Sequence, residues 1–129
     1  MIKYILCSLF VAQMAFAEGK PQKESFYNNL WCSVRNGRQE VRTELDTRID
    51  CLLEYYAVET DFDTKWAEGL GQSLHYSAMT GKKAAVLLIL QNHDGSDRSR
   101  YVKRLTRTID VLGLDVELFF IETKNYKLR

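Results

Sequence analysis

The stretch that decides the fold is RIDCLLEYYAVETDFDTKWAEGLGQSLHYSAMTGKKAAVLLIL, residues 48–90. Its N-terminal part is rich in aromatic and β-branched residues, which favour strands. It predicts one strand at 48–53 and another at 55–62. Glu54 lies between them, where a tight turn would make the two strands antiparallel neighbours. The stretch therefore opens with a predicted β-hairpin.

The remainder of the stretch predicts a helix and a buried strand. Asp63 is the expected N-cap of a helix at 64–79, and its core stripe recurs at steps of four, at Trp66, Leu70 and Leu74. Gly69 and Gly71 lower helix propensity by about 1 kcal/mol each, so they predict close packing against a neighbour. The run AAVLLIL at 84–90 is apolar throughout, which is typical of a central strand covered on both faces.

The segment before this stretch predicts a helix followed by one more strand. The helix begins with Ser25 as its N-cap and ends at Asn36-Gly37, a pair that favours the left-handed conformation. Its predicted apolar face consists of Phe26, Tyr27, Leu30, Trp31 and Val34. A strand follows at 39–45, and a turn at Asp46-Thr47 leads into the hairpin.

The segment after the stretch predicts a polar loop at 92–98, a helix at 99–112 that Gly113 ends, and a last strand at 116–121. The inward face of this helix is expected to consist of Tyr101, Val102, Leu105, Ile109 and Leu112. The predicted order is α-β-β-β-α-β-α-β. It defines an α/β (α+β) protein with a mixed central sheet flanked by helices.

The first seventeen residues, MIKYILCSLFVAQMAFA, have the three parts of a secretory signal peptide. Lys3 is the basic part, an apolar run follows, and Ala15-Phe16-Ala17 supplies the cleavage pattern. A membrane anchor is disfavoured, since a spanning helix needs about 20 apolar residues. We expect cleavage to leave a flexible leader at 18–24 and a single domain at 25–129, exported to the periplasm or secreted, without stable membrane association.

Charge and cysteine content limit the functional classes. The chain has 18 Lys and Arg against 17 Asp and Glu, and the predicted signal carries only Lys3, so the mature chain is formally balanced. Bulk charge therefore gives no argument for nucleic acid, which must come from local patches. Cys32 and Cys51 remain after cleavage, and in an oxidising compartment they predict one disulfide, with two buried free thiols as the alternative.

The two strands of the predicted hairpin carry three acidic residues, Asp50, Glu59 and Asp61. Glu59 and Asp61 are two residues apart on a strand, so they point to the same face. If the strands pair, Asp50 approaches Glu59. Clustered carboxylates repel one another unless a cation joins them, and oxygen-only clusters suit Mg²⁺. The alternative is that all three are ordinary solvated strand charges.

The helix that follows adds polar groups to this arrangement. Lys65, Gln72 and Tyr76 lie at steps of seven and four, on the same side of the helix and away from the Trp66 stripe. Asp50, a carboxylate on the next strand and Gln-x-x-x-Tyr on the following helix together resemble the PD-(D/E)XK nuclease superfamily, and more narrowly its RecB-like branch. The order and spacing of these motifs over about residues 31–90 carry the resemblance.

The resemblance implies a restriction-endonuclease-like fold and a metal-dependent nuclease acting on DNA or RNA. Asp50 and Glu59 would bind catalytic Mg²⁺ or Mn²⁺, with Asp61 as a further ligand, and Gln72 and Tyr76 would support the site. Glu40 matches an acidic residue that is usual just after the glycine of the first turn, and it is a further metal-ligand candidate.

One departure from the family pattern concerns its lysine. The third family motif reads Glu-x-Lys, whereas this chain has Glu59-Thr60-Asp61. Lysine there orients the attacking water and balances charge on the phosphate, which Asp61 cannot do. Either Lys65 on the adjacent helix is a migrated substitute, or activity is lost and the chain is a nuclease-fold binding module. A third hypothesis is an exported effector whose substrate is not nucleic acid.

The predicted helix at 99–112 has a basic face opposite its apolar stripe. Arg100, Lys103, Arg104 and Arg107 make up this face. It predicts contacts with a phosphate backbone, which would appear as salt-dependent binding. The alternative is an ordinary solvated helix face.

Overall fold

A computed structural model describes residues 22–91 and 99–123. A 3₁₀ turn at Asp63–Lys65 separates the third strand from the second helix. The elements are α1 Glu24–Ser33, β1 Arg38–Arg42, β2 Arg48–Leu52, β3 Tyr56–Phe62, α2 Trp66–Thr80, β4 Lys83–Leu90, α3 Ser99–Leu112 and β5 Val116–Glu122.

The five strands form one mixed sheet in the order β1-β2-β3-β4-β5. Strand β2 is antiparallel to both β1 and β3, whereas β3, β4 and β5 are parallel to one another. The parallel pairs need crossover connections, and α2 and α3 provide them. The predicted α/β class, with a mixed sheet, helices and an antiparallel N-terminal meander, is confirmed for the described residues.

Strand β4 lies at the centre of the parallel half of the sheet. Its residues Ala84–Leu90 are all buried, as the uninterrupted apolar run predicted, because both faces of the strand are covered. On one face β4 packs with α1, through Tyr27 and Trp31. On the other face it packs with α2 and α3, through Leu70, Leu105 and Ile109.

Helix α1 is rotated relative to the prediction. Tyr27 and Trp31 are buried, but Phe26, Leu30 and Val34 are exposed, and the other two buried positions of the helix are Asn28 and Cys32. The physical reason is that Cys32 is bonded to Cys51 on β2, while Asn28 makes hydrogen bonds to the sheet. These four residues therefore face the sheet. The helix also begins at Glu24, one residue inside the predicted leader.

Four further predictions about residues of the helices are wrong. Leu74 and Leu112 are exposed. Of the α2 stripe only Trp66 and Leu70 reach the core under α3. Gly71 has open space around it, in contrast to Gly69, which packs closely on Asp61 and Val86. Asp63 does not cap α2.

The carboxylate of Asp63 instead ties the end of β3 to the end of β4. Its side chain is fully buried. Oδ1 accepts a hydrogen bond from the Thr64 amide at 2.9 Å, and Oδ2 accepts one from the Gln91 amide at 3.2 Å. Because both oxygen atoms of this carboxylate accept hydrogen bonds from these main-chain amides, Asp63 does not serve as the N-cap, and α2 starts only after the 3₁₀ turn.

The predicted disulfide is present between Cys32 and Cys51, with a Cα–Cα distance of 5.9 Å. It joins α1 to β2 and is consistent with an oxidising location. Among residues 22–91 and 99–123, no helix is long and apolar enough to cross a membrane. The signal peptide predicted at 1–17, most of the leader, the 92–98 loop and the last six residues of the predicted domain lie outside the described residues.

Candidate metal and active site

The candidate site lies where β2 and β3 separate. The two strands pair at Cys51–Val58 and Leu52–Ala57, and this register places Asp50 opposite Glu59. At the next position the Thr60 amide donates a hydrogen bond to Asp50 Oδ2 at 2.8 Å. A side chain thus takes the place of a main-chain partner, and the Asp50 carboxylate lies between the strands.

Asn28 on α1 closes the gap between these strands from the other side of the sheet. Its Nδ2 donates to the Asp50 carbonyl oxygen at 2.9 Å. Its Oδ1 accepts a hydrogen bond from Thr60 Oγ1 at 2.8 Å. One amide side chain therefore satisfies β2 and β3 at once, where the strands no longer satisfy each other. Asn28 fixes the backbone on which Asp50 stands.

The carboxyl groups of the site lie in surroundings that disfavour their ionised forms, because of burial and of the negative charge of their neighbours. Glu59 is 5% exposed and Asp61 is 3% exposed. Burial, followed by the charge of Asp50, raises the pKa of Glu59 to about 10. Burial, followed by the charge of Glu24, raises the pKa of Asp61 to about 7. Burial also raises the pKa of Asp50, although the hydrogen bond from Thr60 opposes it.

Two oxygen atoms of this site lack hydrogen-bond partners in the described part of the chain: Glu59 Oε2 and Asp61 Oδ2. A buried carboxylate oxygen without a partner is strongly unfavourable. Both therefore mark positions where a cation would be stabilised. An all-oxygen donor set is the set that Mg²⁺ prefers.

The described residues contain no group of three or more His, Cys, Asp or Glu side chains arranged to hold a metal ion. The Asp50–Glu59 pair is nevertheless compatible with Mg²⁺, because this ion is commonly bound through one or two carboxylates and completes its octahedron with water and substrate phosphate oxygens. Asp61 lies next to the pair but does not complete a preformed cage.

Helix α2 presents two of the predicted residues to this pair. The hydroxyl of Tyr76 lies next to Glu59, and burial, followed by the charge of Glu59, raises the pKa of Tyr76. The same hydroxyl donates to Gln72 Oε1 at 3.3 Å, and Gln72 in turn donates to Glu68 at 3.4 Å. The Gln-x-x-x-Tyr motif thus forms a hydrogen-bonded chain from the helix surface to the site.

The approach of α2 to the site depends on Gly69. A Cβ atom at this position would lie 3.1 Å from Asp61 Oδ2 and 3.3 Å from Asp61 Cβ. A side chain there would therefore press directly on the Asp61 carboxyl. The glycine allows the helix backbone to pass over the carboxylates at close range, which limits their access to water.

Lys65 lies at the edge of the site rather than inside it. Its Nζ donates to Glu24 Oε1 at 3.0 Å, and its side chain is 49% exposed. The hydrogen bond and charge of Glu24 raise the pKa of Lys65, with a smaller contribution from Asp61. The ammonium group therefore acts on Asp61, but its direct partner is the first residue of α1.

Glu40 lies on β1, the first strand of the described sheet, and is exposed. Its φ of 54° is in the left-handed region, which is unusual for a residue with a side chain. Its closest basic partner is Arg48, at 3.9 Å, with the Glu40 side chain 55% exposed. Glu40 contributes only its charge to the environment of Asp50.

The basic residues of α3 lie on a different part of the surface. Arg100, Lys103, Arg104 and Arg107 are all exposed. The guanidinium groups of Arg100 and Arg104 each lie 5.8 Å from the centre of the Tyr101 ring. Arg104 and Arg107 line a cleft with Trp66 at the start of α2. The structure therefore does not bring this face into the carboxylate group.

Sequence reasoning missed Asn28, Thr60 and Glu24. A signal for Asn28 exists, since it lies four residues before Cys32 and next to Tyr27 on the stripe that α1 buries. A lone amide on a buried stripe indicates a specific hydrogen-bond role. No comparable signal marks Glu24, because only the docking of α1 brings it near Lys65.

Comparison of the chain with protein-family models, with curated proteins and with solved structures found no match.

Proposed function

We propose that this chain is an exported, Mg²⁺-dependent phosphodiesterase that cleaves DNA or RNA, with a restriction-endonuclease-like fold of the PD-(D/E)XK type. The observation that carries the proposal is the group of three carboxylates, Asp50, Glu59 and Asp61, near the point where β2 and β3 separate. Glu59 and its neighbour Asp61 are almost fully buried, yet each has an oxygen atom without a partner among the described residues. A divalent ion would offset the buried negative charge of these carboxylates and would give the two unpartnered oxygen atoms a partner.

The proposed roles follow from the contacts. Asp50 and Glu59 hold the ion, which when bound polarises the phosphate and lowers the pKa of a bound water. Asn28 and Thr60 fix Asp50 through hydrogen bonds of 2.8–2.9 Å. Tyr76, supported by Gln72, lies next to Glu59 and orients its carboxyl group.

Lys65 supplies the positive charge that the family places two residues after its glutamate. Its pKa is raised by Glu24 and by Asp61, so it is protonated at neutral pH. Transition-state charge on phosphate is stabilised by such an ammonium group. To reach a phosphate at the carboxylate pair, Lys65 must exchange its hydrogen bond with Glu24 for one with the substrate.

A second candidate function is a catalytically inactive nuclease-fold module that binds nucleic acid or a protein. One observation favours it: the Lys65 ammonium group is already neutralised by Glu24 at 3.0 Å. If this pair persists with substrate bound, the site lacks the cation that assists hydrolysis.

The experiment that tests the proposal is incubation of the oxidised protein with single- and double-stranded DNA and RNA, in Mg²⁺, Mn²⁺ or EDTA. We expect cleavage that requires the metal and that Asp50→Asn abolishes. Glu44→Gln is the matched control, because Glu44 is an exposed carboxylate on the β1–β2 turn and its loss should leave cleavage unchanged.

Variants at Lys65 and Glu24 separate the two candidates. A catalytic lysine requires that Lys65→Ala lowers cleavage at least tenfold, and that Glu24→Gln, which frees the ammonium group, does not lower it. Absence of cleavage of every substrate by the wild-type protein, with Mg²⁺ binding retained, would refute the phosphodiesterase and support the binding module.

A further inference from the structure

A cleft of about 410 Å³ lies between the start of α2 and the C-terminal half of α3. Its lining combines an indole ring, two guanidinium groups and aliphatic side chains: Trp66, Arg104, Arg107, Thr108, Val111 and Leu112. Val111 and Leu112 are 69% and 66% exposed. The cleft is thus an exposed, partly apolar surface with concentrated positive charge.

Among the described residues, the two arginines of the cleft have no acidic partner. Within residues 22–91 and 99–123, neither Arg104 nor Arg107 forms an ion pair within 4.0 Å. By contrast, the described lysines Lys65 and Lys83 are engaged by carboxylates. An anion is therefore the complementary occupant of this cleft, since it would neutralise charges that the described residues leave unbalanced.

The cleft is adjacent to the candidate active site along the chain. Trp66 directly follows Lys65, whose ammonium group acts on the buried Asp61. The 3₁₀ turn that carries Lys65 also leads into the first turn of α2, which forms one wall of the cleft. One short segment therefore carries both the lysine of the candidate site and the indole ring of the cleft.

We infer that the cleft is a nucleotide subsite for single-stranded nucleic acid, with a base against the Trp66 ring and a backbone phosphate on Arg104 and Arg107. Single-strand binding combines aromatic stacking with basic side chains that follow the backbone, and stacking accepts any base. A base within a duplex offers no free face to a side chain in a cleft. The inference rests on the proposed function, and it specifies the substrate class of the same site as single-stranded.

Tryptophan fluorescence provides a direct test, because the chain has two tryptophans and Trp31 is fully buried. Quenching by an added oligonucleotide therefore reports Trp66. The titration uses the oxidised protein in EDTA, so that cleavage does not occur, with ten-nucleotide single strands of deoxythymidylate and of adenylate RNA. We expect saturable quenching by both strands and much weaker quenching by a duplex of the same length.

Matched double variants separate the cleft from a diffuse basic surface. Arg104→Ala/Arg107→Ala and Arg100→Ala/Lys103→Ala remove the same charge from the same exposed helix face, but only the first pair lines the cleft. Measured by anisotropy of a labelled strand, the first pair should lower affinity at least tenfold and reduce the salt slope by about 1.4. Trp66→Leu should lower affinity about tenfold, the loss of one stacked base.

Three outcomes would overturn the inference: equal effects of the two double variants, absence of quenching by single strands, or quenching by phosphatidylglycerol vesicles in place of oligonucleotides. These results are distinguishable from failure of the proposed function. Metal-dependent cleavage by a protein whose cleft variants bind normally would reject the subsite alone. Normal single-strand binding without any cleavage would reject the phosphodiesterase and leave the subsite in place.

Discussion

Glu59 should make the free energy of unfolding fall as pH rises, which is opposite to the effect of most carboxylates. Replacing Glu59 by glutamine should remove this dependence. Glu59 is 5% exposed, and burial together with the charge of Asp50 raises its pKa from 4.5 to about 10. In the unfolded chain this carboxyl ionises near 4.5, whereas in the fold it keeps its proton. The folded state therefore binds more protons, and the free energy of unfolding falls as pH rises from about 4.5 towards 10.

The magnitude follows from the size of this window. Each pH unit within the window costs about 1.4 kcal/mol for one proton, so between pH 4.5 and 7 Glu59 should lower the free energy of unfolding by about 3 kcal/mol. Glutamine has the shape of the protonated acid and does not titrate. In EDTA at pH 7, Glu59→Gln should therefore be more stable than the wild type by up to about 3 kcal/mol.

Urea unfolding at pH 5, 6, 7 and 8 measures this effect, and the difference between the wild type and the variant cancels the contributions of the other titrating groups. Glu44→Gln serves as the control for loss of an exposed carboxylate. Adding Mg²⁺ at pH 8 should stabilise the wild type, by about 2.7 kcal/mol at a hundred times its Kd, and should leave Glu59→Gln almost unchanged. If the free energy of unfolding of the wild type rose relative to that of the variant as pH increases in EDTA, the reasoning would be refuted. Equal stabilisation of both proteins by Mg²⁺ would refute it as well.

Three further predictions concern the support of the site. Asn28→Ala should destabilise the fold by about 2 kcal/mol in urea unfolding, because two buried hydrogen bonds are lost, whereas its exposed neighbour Asn29→Ala should have little effect. A Cys32→Ser/Cys51→Ser double variant should lose about 3 kcal/mol relative to the oxidised wild type, and a loss that reductant reproduces in the wild type would support this. Gly71→Ala should stabilise α2 by up to about 1 kcal/mol, since nothing lies within 4 Å of the new methyl group. Gly69→Ala has the same helix propensity but meets Asp61 at 3.1 Å, so its thermal midpoint should fall below that of Gly71→Ala; equal midpoints would contradict the close approach.

Local pattern was sufficient for the elements of the fold. Helix α3 begins and ends where the periodicity and Gly113 predict, and β4 is buried on both faces from Ala84 to Leu90 because this run contains no polar residue to expose. Gly69 was also correctly interpreted as a contact position. These features depend on residue propensity and on the spacing of apolar residues, and both can be read directly from a single sequence.

Local pattern was insufficient where alternative buried faces or alternative partners of a side chain have similar local energies. Helix α1 carries more apolar residues than it can bury, so its sequence alone does not decide between Phe26 and Asn28 as the inward residue. The disulfide to Cys51 and the hydrogen bonds of Asn28 decide it. Lys65 is a similar case, since its position on the helix was predicted but its partner Glu24 lies 41 residues earlier in the chain.

Sequence pattern was enough to predict the mixed sheet and, if the two hairpin strands pair, the approach of Asp50 to Glu59, because alternation along strands and a short turn leave little freedom between them. For the two cysteines it predicted a disulfide but left two free thiols as the alternative. The environment of Asp50 and Glu59, by contrast, depends on how the helices pack on the sheet. Burial raises the pKa values of Glu59 and Asp61, α1 brings Asn28 and Glu24 to the site, and α3 places two arginines beside Trp66. Desolvation and charge depend on residues distant in sequence, which come together only when the helices pack on the sheet.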